Sequence, residues 1–240
     1  MLKDLAFVCA DNPRARSYAQ AFKARDLMPS VVLLLPNAQT AKPLALPAPI
    51  QAPWGDYDPS LSVRETCAEA GVLCEDAPEH DINSPANVER IAAMPQTVFV
   101  YAGFGGVILR PRLLACGKKF LHAHGGWLPD YKGSTTNYYS ALQENFCAAS
   151  VMFLNEGIDQ GDILHRRRFP VPKDMTLMDY AHDNIFRAEA LCDVLALHKE
   201  KGCWPRPVAI NEAKKPYYVM HPLLRHLAIL GHNGADWSCE

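Results

Sequence analysis

Short apolar runs alternate with amphipathic segments along the first 200 residues. Seven runs rich in β-branched, aliphatic and aromatic residues have the length of strands, and polar or turn-forming residues separate them. The predicted strands cover residues 5–10, 30–35, 72–75, 97–101, 119–123, 148–154 and 163–169. Nearly continuous apolar runs are typical of strands that are buried on both faces, as in a parallel sheet.

Helical patterns lie between these strands. The predicted helices cover residues 13–26, 60–70, 84–94, 111–116, 136–145 and 174–198. Pro13 suits a first helical turn, Thr176 with Asp179 resembles a capping box, and Gly202 follows the longest helix. The alternation predicts an α/β fold, a Rossmann-like doubly wound and mostly parallel sheet over 1–205. A short extension, 206–240, is expected to pack on this domain or at a dimer interface.

Two segments do not show this alternation of strand and helix patterns. Residues 36–59 contain six prolines and are predicted to form a surface excursion without regular structure. The last forty residues are rich in Pro, Tyr and His and show no clear periodicity.

The amino-acid composition and the net charge limit the classes of function that are compatible with the chain. Apolar residues make up 49% and charged residues 21%, as in an ordinary globular protein. The formal charge of −2 provides no general positive field, so we expect neither nucleic-acid binding nor binding to anionic membranes. No apolar run is long enough to span a bilayer, and the first residues make a poor signal peptide, which favours a cytoplasmic location.

Eight cysteines are spread along the chain without a Cys-x-x-Cys pair. This spacing argues against a zinc knuckle or a redox motif. We therefore expect reduced, structural thiols, with Cys116 and Cys147 as the weaker alternative of a nucleophile.

The first candidate loop follows the predicted strand 97–101. It contains Gly103, Gly105 and Gly106 and continues into the aliphatic residues 107–109. Glycines allow close approach to the backbone, and aliphatic walls suit a flat heteroaromatic ring. The glycine spacing does not match a dinucleotide-binding fingerprint, and a simple tight turn is the alternative.

Two further segments carry candidate chemistry. His122 and His124 are two residues apart on a predicted strand, so both rings project from one face near its carboxyl end. Asp159 lies between Gly157 and Gly161 in an acidic turn, which would direct its carboxylate inward. A structural histidine pair and a solvated turn are the alternatives.

Taken together, these segments resemble the folate-dependent formyltransferases, a family that acts on glycinamide ribonucleotide, methionyl-tRNA and amino sugars. The family has an Ala-Gly-Phe/Tyr strand end, then Asn-x-His-x-x-Leu-Leu-Pro-x-Tyr-x-Gly, then an acidic Asp-x-Gly turn. The corresponding segments are Ala102-Gly103-Phe104, His122 to Gly133, and Asp159-Gln160-Gly161. The resemblance implies transfer of a formyl group from 10-formyltetrahydrofolate to an amine, without a metal.

The resemblance also implies roles for individual residues. His124 and Asp159 match the catalytic pair of the family, and His122 stands where the family has asparagine. The residues that correspond to the folate-binding backbone are Phe104, Gly105, Gly106, Val107, Ile108, Leu109 and Gly157.

Each of these residue types suits the reaction. A histidine N–H stabilises the oxygen that becomes negative when an amine attacks the formyl carbon, and a preorganised donor contributes about 2.7–4 kcal/mol in related acyl chemistry. A carboxylate moves the proton from the amine to the folate nitrogen and raises the pKa of a neighbouring histidine. We expect His122 to donate through a ring nitrogen in place of the asparagine amide, with an altered acceptor or pH profile.

The acceptor is predicted by elimination. Family members that act on tRNA carry an additional C-terminal domain, whereas only about forty residues follow the last long helix here, which disfavours tRNA as the acceptor. The segment 10–14 lacks the phosphate-binding turn of the purine-pathway members, which disfavours their substrate. A nucleotide-linked amino sugar is therefore favoured, in a possible homodimer. The run 166–168 of three arginines is interpreted as a solvated strand edge, because consecutive strand residues face opposite ways.

Three other functions stay open at this point. A metal-dependent hydrolase would use His122, His124 and Asp159 as ligands. A folate-binding protein without turnover would retain the pocket alone. A formyl-folate hydrolase would be expected to carry an additional regulatory domain.

Overall fold

A seven-stranded sheet forms the centre of the computed structural model, which describes residues 1–37, 49–157, 159–208 and 214–232. The strand order is β5-β2-β1-β6-β7-β8-β9. The bounds of its strands are β1 Leu2–Ala10, β2 Pro29–Leu35, β5 Leu73–Asp76, β6 Val98–Ala102, β7 Lys119–His124, β8 Cys147–Phe153 and β9 Ile163–Phe169. All seven strands that the sequence predicts are present.

The sheet is doubly wound. The chain proceeds from β1 outward to β2 and β5, then returns to the other side of β1 and continues through β6 and β7. These five strands are parallel, whereas β8 and β9 are antiparallel to their neighbours. The predicted α/β, mostly parallel fold is thereby confirmed. Ligands of such sheets bind beyond the carboxyl ends of the strands, near the point where the strand order reverses.

Helices cover both faces of the sheet. Their bounds are α1 Pro13–Ala24, α2 Val63–Glu69, α3 Pro85–Ala93, α4 Pro111–Leu114, α5 Thr136–Glu144, α6 Asp183–Lys201 and α7 Pro222–His232. Along β1, Leu5, Phe7 and Cys9 enter the core beneath α1 and α6, whereas Ala6 and Val8 enter the core on the opposite face. This two-residue alternation explains why both cores require an almost unbroken apolar strand. None of the helices in these ranges is long and apolar enough to cross a membrane.

Helix starts follow local sequence signals. Asn12 accepts a hydrogen bond from the Ala15 amide and precedes Pro13 in the first turn of α1. Ser62 and Glu65 form a reciprocal capping box at α2. These side chains satisfy amide groups that have no partner within the helix, which fixes where each helix begins.

The proline-rich excursion is more ordered than predicted. Ile50–Ala52 and Gly55–Tyr57 form an antiparallel hairpin, β3 and β4. Ile50 and Tyr57 pack against Ile185 of α6, so a long-range contact stabilises strands that local propensity does not favour. Residues 38–48 lie outside the described ranges.

The predicted helix 174–198 also begins differently. Asp174 caps a short 3₁₀ turn at Met175–Leu177, and a π-helical turn at Met178–His182 leads into α6. The capping box predicted from Thr176 and Asp179 is therefore wrong, because Asp174 accepts the Thr176 amide. Gly202 ends α6 in a left-handed conformation, as its position predicts.

The C-terminal segment contains a helix that the sequence did not indicate. Met220, just before α7, and Ala228, within it, are buried in the main core. Tyr217 forms an isolated β-bridge with Gly133. The described part of this segment thus packs against the α/β domain. The boundary at 205/206 stays a prediction.

The cysteines of the described ranges are free thiols, and Cys239 lies outside them. Burial raises the pKa of Cys147 to about 12. A thiol in this environment remains protonated at neutral pH and is a poor nucleophile.

Candidate active site

The carboxyl end of β7 carries the two histidines on one face of the sheet. Leu121 and Ala123, which alternate with the histidines along the strand, point into the core beneath α1 and α6. His122 is half-buried and His124 is buried. The pattern of buried and functional residues on β7 therefore follows the two-residue period of the strand.

Asp159 lies in the turn between β8 and β9, next to the carboxyl end of β7. Its Oδ1 lies 3.4 Å from Nδ1 of His124. Its Oδ2 accepts a hydrogen bond of 3.1 Å from the Gly133 amide, in the loop that follows β7. The structure thus brings together His124 and Asp159, which are 35 positions apart in the sequence.

The turn that holds Asp159 is tightly folded. Asp159 itself has a φ of 50°, so the aspartate rather than a flanking glycine adopts the left-handed conformation. A Cβ atom at Gly161 would overlap the carbonyl oxygen of Phe153. Glycine is required at 161 because the chain passes directly over the end of β8.

A cavity of about 120 Å³ lies beside the carboxylate. It is lined by Tyr101, Val107, Ile108, Leu109, His122, Leu154, Asn155, Gly157 and Asp159. Four of the seven residues predicted to bind the folate line this cavity, namely Val107, Ile108, Leu109 and Gly157. Its aliphatic side and its polar end are consistent with a flat, hydrogen-bonding ring.

A larger cavity of about 450 Å³ adjoins the first one across the loop after β6. Both are lined by Tyr101, Val107 and Ile108. Phe104 and Gly106 line the larger cavity only, whereas Gly105 is exposed and is not among the residues that line either one.

Hydrogen bonds define which ring nitrogens of the histidines are available. Nδ1 of His122 lies 3.3 Å from the Tyr101 carbonyl oxygen, and Nε2 of His124 lies 2.8 Å from the Tyr131 carbonyl oxygen. A carbonyl oxygen only accepts, so each of these nitrogens carries the ring proton. In the neutral rings, Nε2 of His122 and Nδ1 of His124 are consequently acceptors.

Burial keeps both rings neutral. It lowers the pKa of His122 well below the ordinary value, and the cations Arg14 and Arg187 lower it further. Burial also lowers the pKa of His124, although the Asp159 carboxylate opposes this shift. Asp159 thus acts on the pKa of His124 in the expected direction, but burial outweighs it. The expectation that His122 donates to a ligand is corrected, because the N–H of the neutral ring is engaged by the Tyr101 carbonyl oxygen.

Two residues of α6 that the sequence did not single out lie next to the site. Arg187 donates from Nη1 to the Ala123 carbonyl oxygen at 2.9 Å, between the two histidines. Its Nε donates to Asp183 at 2.6 Å. The spacing of four residues on a predicted helix indicates a possible ion pair, but only the packing of α6 on β7 directs it toward the site.

The loop after β1 closes the crevice between β1 and β6. Asn12 and Arg14 both donate to the Gly103 carbonyl oxygen, at 3.1 and 2.7 Å. Arg16 pairs with Asp11 at 2.7 Å. Asn12, Arg16 and one terminal nitrogen of Arg14 are therefore engaged within the protein, which is consistent with the absence of a phosphate-binding turn in the sequence.

The three consecutive arginines lie on β9, an edge strand of the sheet. Arg166 and Arg168 stack on the Trp127 ring, with guanidinium carbons 4.4 and 4.6 Å from its centroid. Arg167 points the other way and pairs with Glu189 of α6. The predicted alternation and edge position are confirmed; Arg168 is exposed, whereas Arg166 and Arg167 are only partly exposed because the ring and the carboxylate contact them.

Within the part of the chain that the structure describes, no group of three or more His, Cys, Asp or Glu side chains is arranged to hold a metal ion. His122 and His124 instead bond carbonyl oxygens through one nitrogen each.

The sequence profile of the formyl transferase family matches residues 7–190. The chain belongs to this family. A methionyl-tRNA formyltransferase of Ruminiclostridium cellulolyticum is 31% identical over 124 residues, which are 50% of this chain and 39% of that protein. The chain thus spans less than half the length of this relative.

Solved structures share the fold. A sugar N-formyltransferase from Shewanella superposes with a TM-score of 0.55 at 15% identity, covering 95% of this chain and 87% of that one. An N-formyltransferase from Helicobacter canadensis, in complex with folinic acid and dTDP-3-aminofucose, superposes with a TM-score of 0.55 at 15% identity. The match covers 91% of this chain and 71% of that one.

Proposed function

We propose that this protein transfers a formyl group from 10-formyltetrahydrofolate to a primary amine of a small molecule, with a nucleotide-linked amino sugar as the favoured acceptor. The observation that carries the proposal is that Asp159 and His122 line a cavity with the aliphatic wall 107–109, while His124 contacts the Asp159 carboxylate from behind. Membership of the formyl transferase family supports formyl transfer as the reaction that takes place at this cavity.

The cavities suit the two halves of the formyl donor. The smaller one has the flat aliphatic wall and the polar end that a pterin ring needs. The larger one shares three lining residues with it and offers room for the remainder of the folate. The 107–109 segment would lie between them and contact both parts.

The reaction requires one bond to form and one to break. The amine nitrogen attacks the formyl carbon, and the bond from that carbon to the folate N10 breaks. The amine loses a proton and N10 gains one, so no external proton is consumed. Asp159 lines the cavity and is the group we assign to this transfer.

The two histidines take different roles in this proposal. His124 lies behind Asp159, and its Nδ1 acceptor faces the carboxylate, so the released proton is held between two basic atoms. Nε2 of His122 is an acceptor in the neutral ring and accepts a hydrogen bond from the attacking amine, which orients the nitrogen lone pair toward the formyl carbon.

Asp159→Asn tests the proposal. Removing the proton carrier should lower kcat for formyl transfer by roughly 10²–10⁴-fold. Asp162→Asn is the matched control, because Asp162 belongs to the same turn but is exposed. Transfer is measured as tetrahydrofolate formation together with the formylated amine, over a panel that includes nucleotide-linked amino sugars and methionyl-tRNA.

The same assay separates the alternative functions. Release of formate without formylated amine would indicate a formyl-folate hydrolase. Binding of folinic acid without turnover of any amine would indicate a folate-binding protein. Activity that is lost with a chelator and restored by zinc would indicate the metal-dependent hydrolase.

The sugar acceptor is supported by fold likeness and by the polar surroundings of the site. Structures of sugar N-formyltransferases share the fold over most of this chain. The relative from Ruminiclostridium cellulolyticum is a methionyl-tRNA formyltransferase, so the tRNA arm of the panel is the decisive comparison. Faster transfer to methionyl-tRNA than to every amino sugar would contradict the favoured acceptor.

A further inference from the structure

A third cavity, of about 180 Å³, lies beyond the end of β7. It is lined by Gly125, Gly133, Thr135, Thr136, Asn137, Tyr138, Met178, Asp179, Asp183 and Arg187. Gly133 also donates its amide to Asp159, which lines the aliphatic cavity, so this hydrogen bond joins the walls of the two cavities. With the formyl donor on one side of Asp159, the attacking amine has this space on the other side.

The charges in its wall are balanced. Asp183 pairs with Arg187 at 2.6 Å, and Asp179 pairs with Arg225 of α7. Arg187 is the one cation among the lining residues, and Asp183 already engages it. A phosphate or carboxylate entering this cavity would meet two carboxylates and no free cation, which disfavours an anionic group here.

Asp183 retains hydrogen-bonding capacity toward the cavity. One of its oxygens accepts from Asn137 at 2.7 Å, and the other accepts from Arg187. Each carboxylate oxygen has two lone pairs, so both can accept a further hydrogen bond. The side chain is 20% exposed, and the space it borders is this cavity.

Gly125 of the histidine motif is explained by its contact with this ion pair. A Cβ atom at Gly125 would overlap Oδ1 of Asp183 and lie 2.6 Å from Nη2 of Arg187. Any larger residue would push the ion pair away from the end of β7. Glycine at 125 therefore allows α6 to present Asp183 next to the catalytic strand.

We propose that Asp183, held by Arg187 and Asn137, is the specificity-determining carboxylate of an acceptor subsite that takes a polyhydroxylated ring bearing the reactive amine. Hydroxyl groups both donate and accept, so they match a wall of paired charges, amide and threonines. An aliphatic side chain would leave these groups without partners, which costs affinity. This inference rests on the proposed transfer to an amine.

The size of the cavity supports a single ring. Pockets for drug-sized ligands occupy about 300–1,000 Å³, well above the volume of this cavity. A nucleotide attached to the sugar would therefore extend outside it. Selection by Asp183 concerns the ring alone and does not depend on what the ring is attached to.

Four amines test the selection: D-glucosamine, cyclohexylamine, O-phosphoethanolamine and methioninamide. We expect kcat/KM for formyl transfer, calculated for the unprotonated amine, to be highest for D-glucosamine. Asp183→Asn should lower the ratio of D-glucosamine to cyclohexylamine at least about tenfold, as loss of a charged hydrogen bond predicts, and leave folinic acid binding unchanged. Asp193→Asn is the control, because Asp193 is also on α6 and paired with Arg167 but is not among the residues lining the cavity.

Gly125→Ala provides an independent arm, since its Cβ would displace the ion pair and should reproduce the loss of selection. Thermal unfolding is followed for each variant. If Asp183→Asn does not fold, Asn137→Ser takes its place; it removes the donor to Asp183 together with the acceptor of the Ala148 amide. Preference for one of the other three amines, or an equal loss for all amines in Asp183→Asn, would overturn the inference.

Failure of the proposed function gives a different result. If folinic acid binds and no amine is formylated, transfer itself is excluded. Binding of D-glucosamine is then measured by saturation-transfer NMR in the wild type and in Asp183→Asn. Saturable binding that the substitution weakens would keep the subsite, and equal or absent binding would reject it.

Discussion

At the scale of single residues, the protonation of His122 separates this chain from the asparagine pattern it resembles. An asparagine amide supplies a donor and an acceptor at every pH, whereas His122 uses Nδ1 for the Tyr101 carbonyl and keeps only Nε2 for a ligand. Because burial and two nearby cations lower its pKa well below 6.5, the acceptor form predominates at neutral pH.

This assignment has a consequence for the pH profile. Protonation of His122 would remove its acceptor, so kcat/KM should fall only at pH values well below 6.5, as the pKa is lowered. In His122→Asn this part of the acidic decline should disappear while transfer persists. His165→Asn is the control, because His165 lies on β9, pairs with Asp193 of α6 and is not among the residues lining the cavity. An unchanged profile in His122→Asn would show that this ring does not titrate during the reaction.

At the scale of elements, α6 joins the outer strand β9 to α1 through one buried carboxylate. Glu189 is 1% exposed and pairs with Arg25 of α1 and, at 3.1 Å, with Arg167 of β9. Burial raises the pKa of Glu189 although both arginines act in the opposite direction. This contact links α6, which carries Asp183 and Arg187, to both neighbouring elements.

Glu189→Ala should therefore lower the free energy of unfolding by about 1.5–3 kcal/mol, because a buried charged hydrogen bond to Arg25 is lost while Arg167 keeps its pair with Asp193. Asp193→Asn on the same helix should cost about 0–1 kcal/mol, because Asp193 is 34% exposed. Urea denaturation measures both. Equal losses in the two variants would contradict the assignment of the buried contact.

At the scale of the whole molecule, α7 closes the core and exposes an apolar surface. Ala228 is fully buried, whereas Leu227 is 43% exposed. Ala228→Asp should destabilise the protein by about 3–5 kcal/mol through an unpaired buried charge, and Leu227→Asp should have little effect. Thermal unfolding measures the difference, and similar melting temperatures would show that α7 does not pack as described.

The homodimer stays a prediction at the same scale. Tyr218, Val219, Leu223 and Leu224 are all exposed around the start of α7. Sedimentation equilibrium should give twice the chain mass of 26.6 kDa, and the double variant Leu223→Asp, Leu224→Asp should give the single mass. A single mass for the wild type at micromolar concentration would reject the dimer.

The sequence by itself determined the strands, most helices and the motifs of the site. Each of these features depends on residues that are close in sequence. Apolar runs indicate every strand except β3 and β4 of the hairpin, and capping residues such as Ser62 indicate where helices begin. His124 and Asp159 lie in recognisable sequence motifs. Burial patterns and capping depend on neighbouring residues, which is why sequence alone reveals them.

Only the tertiary structure decided what depends on contacts between distant segments. Packing of Ile50 and Tyr57 against α6 makes the hairpin, the Tyr101 and Tyr131 carbonyls select the histidine tautomers, and the approach of α6 to Gly125 presents Asp183. None of these has a local signature, because each is the outcome of two elements that meet after the sheet has formed.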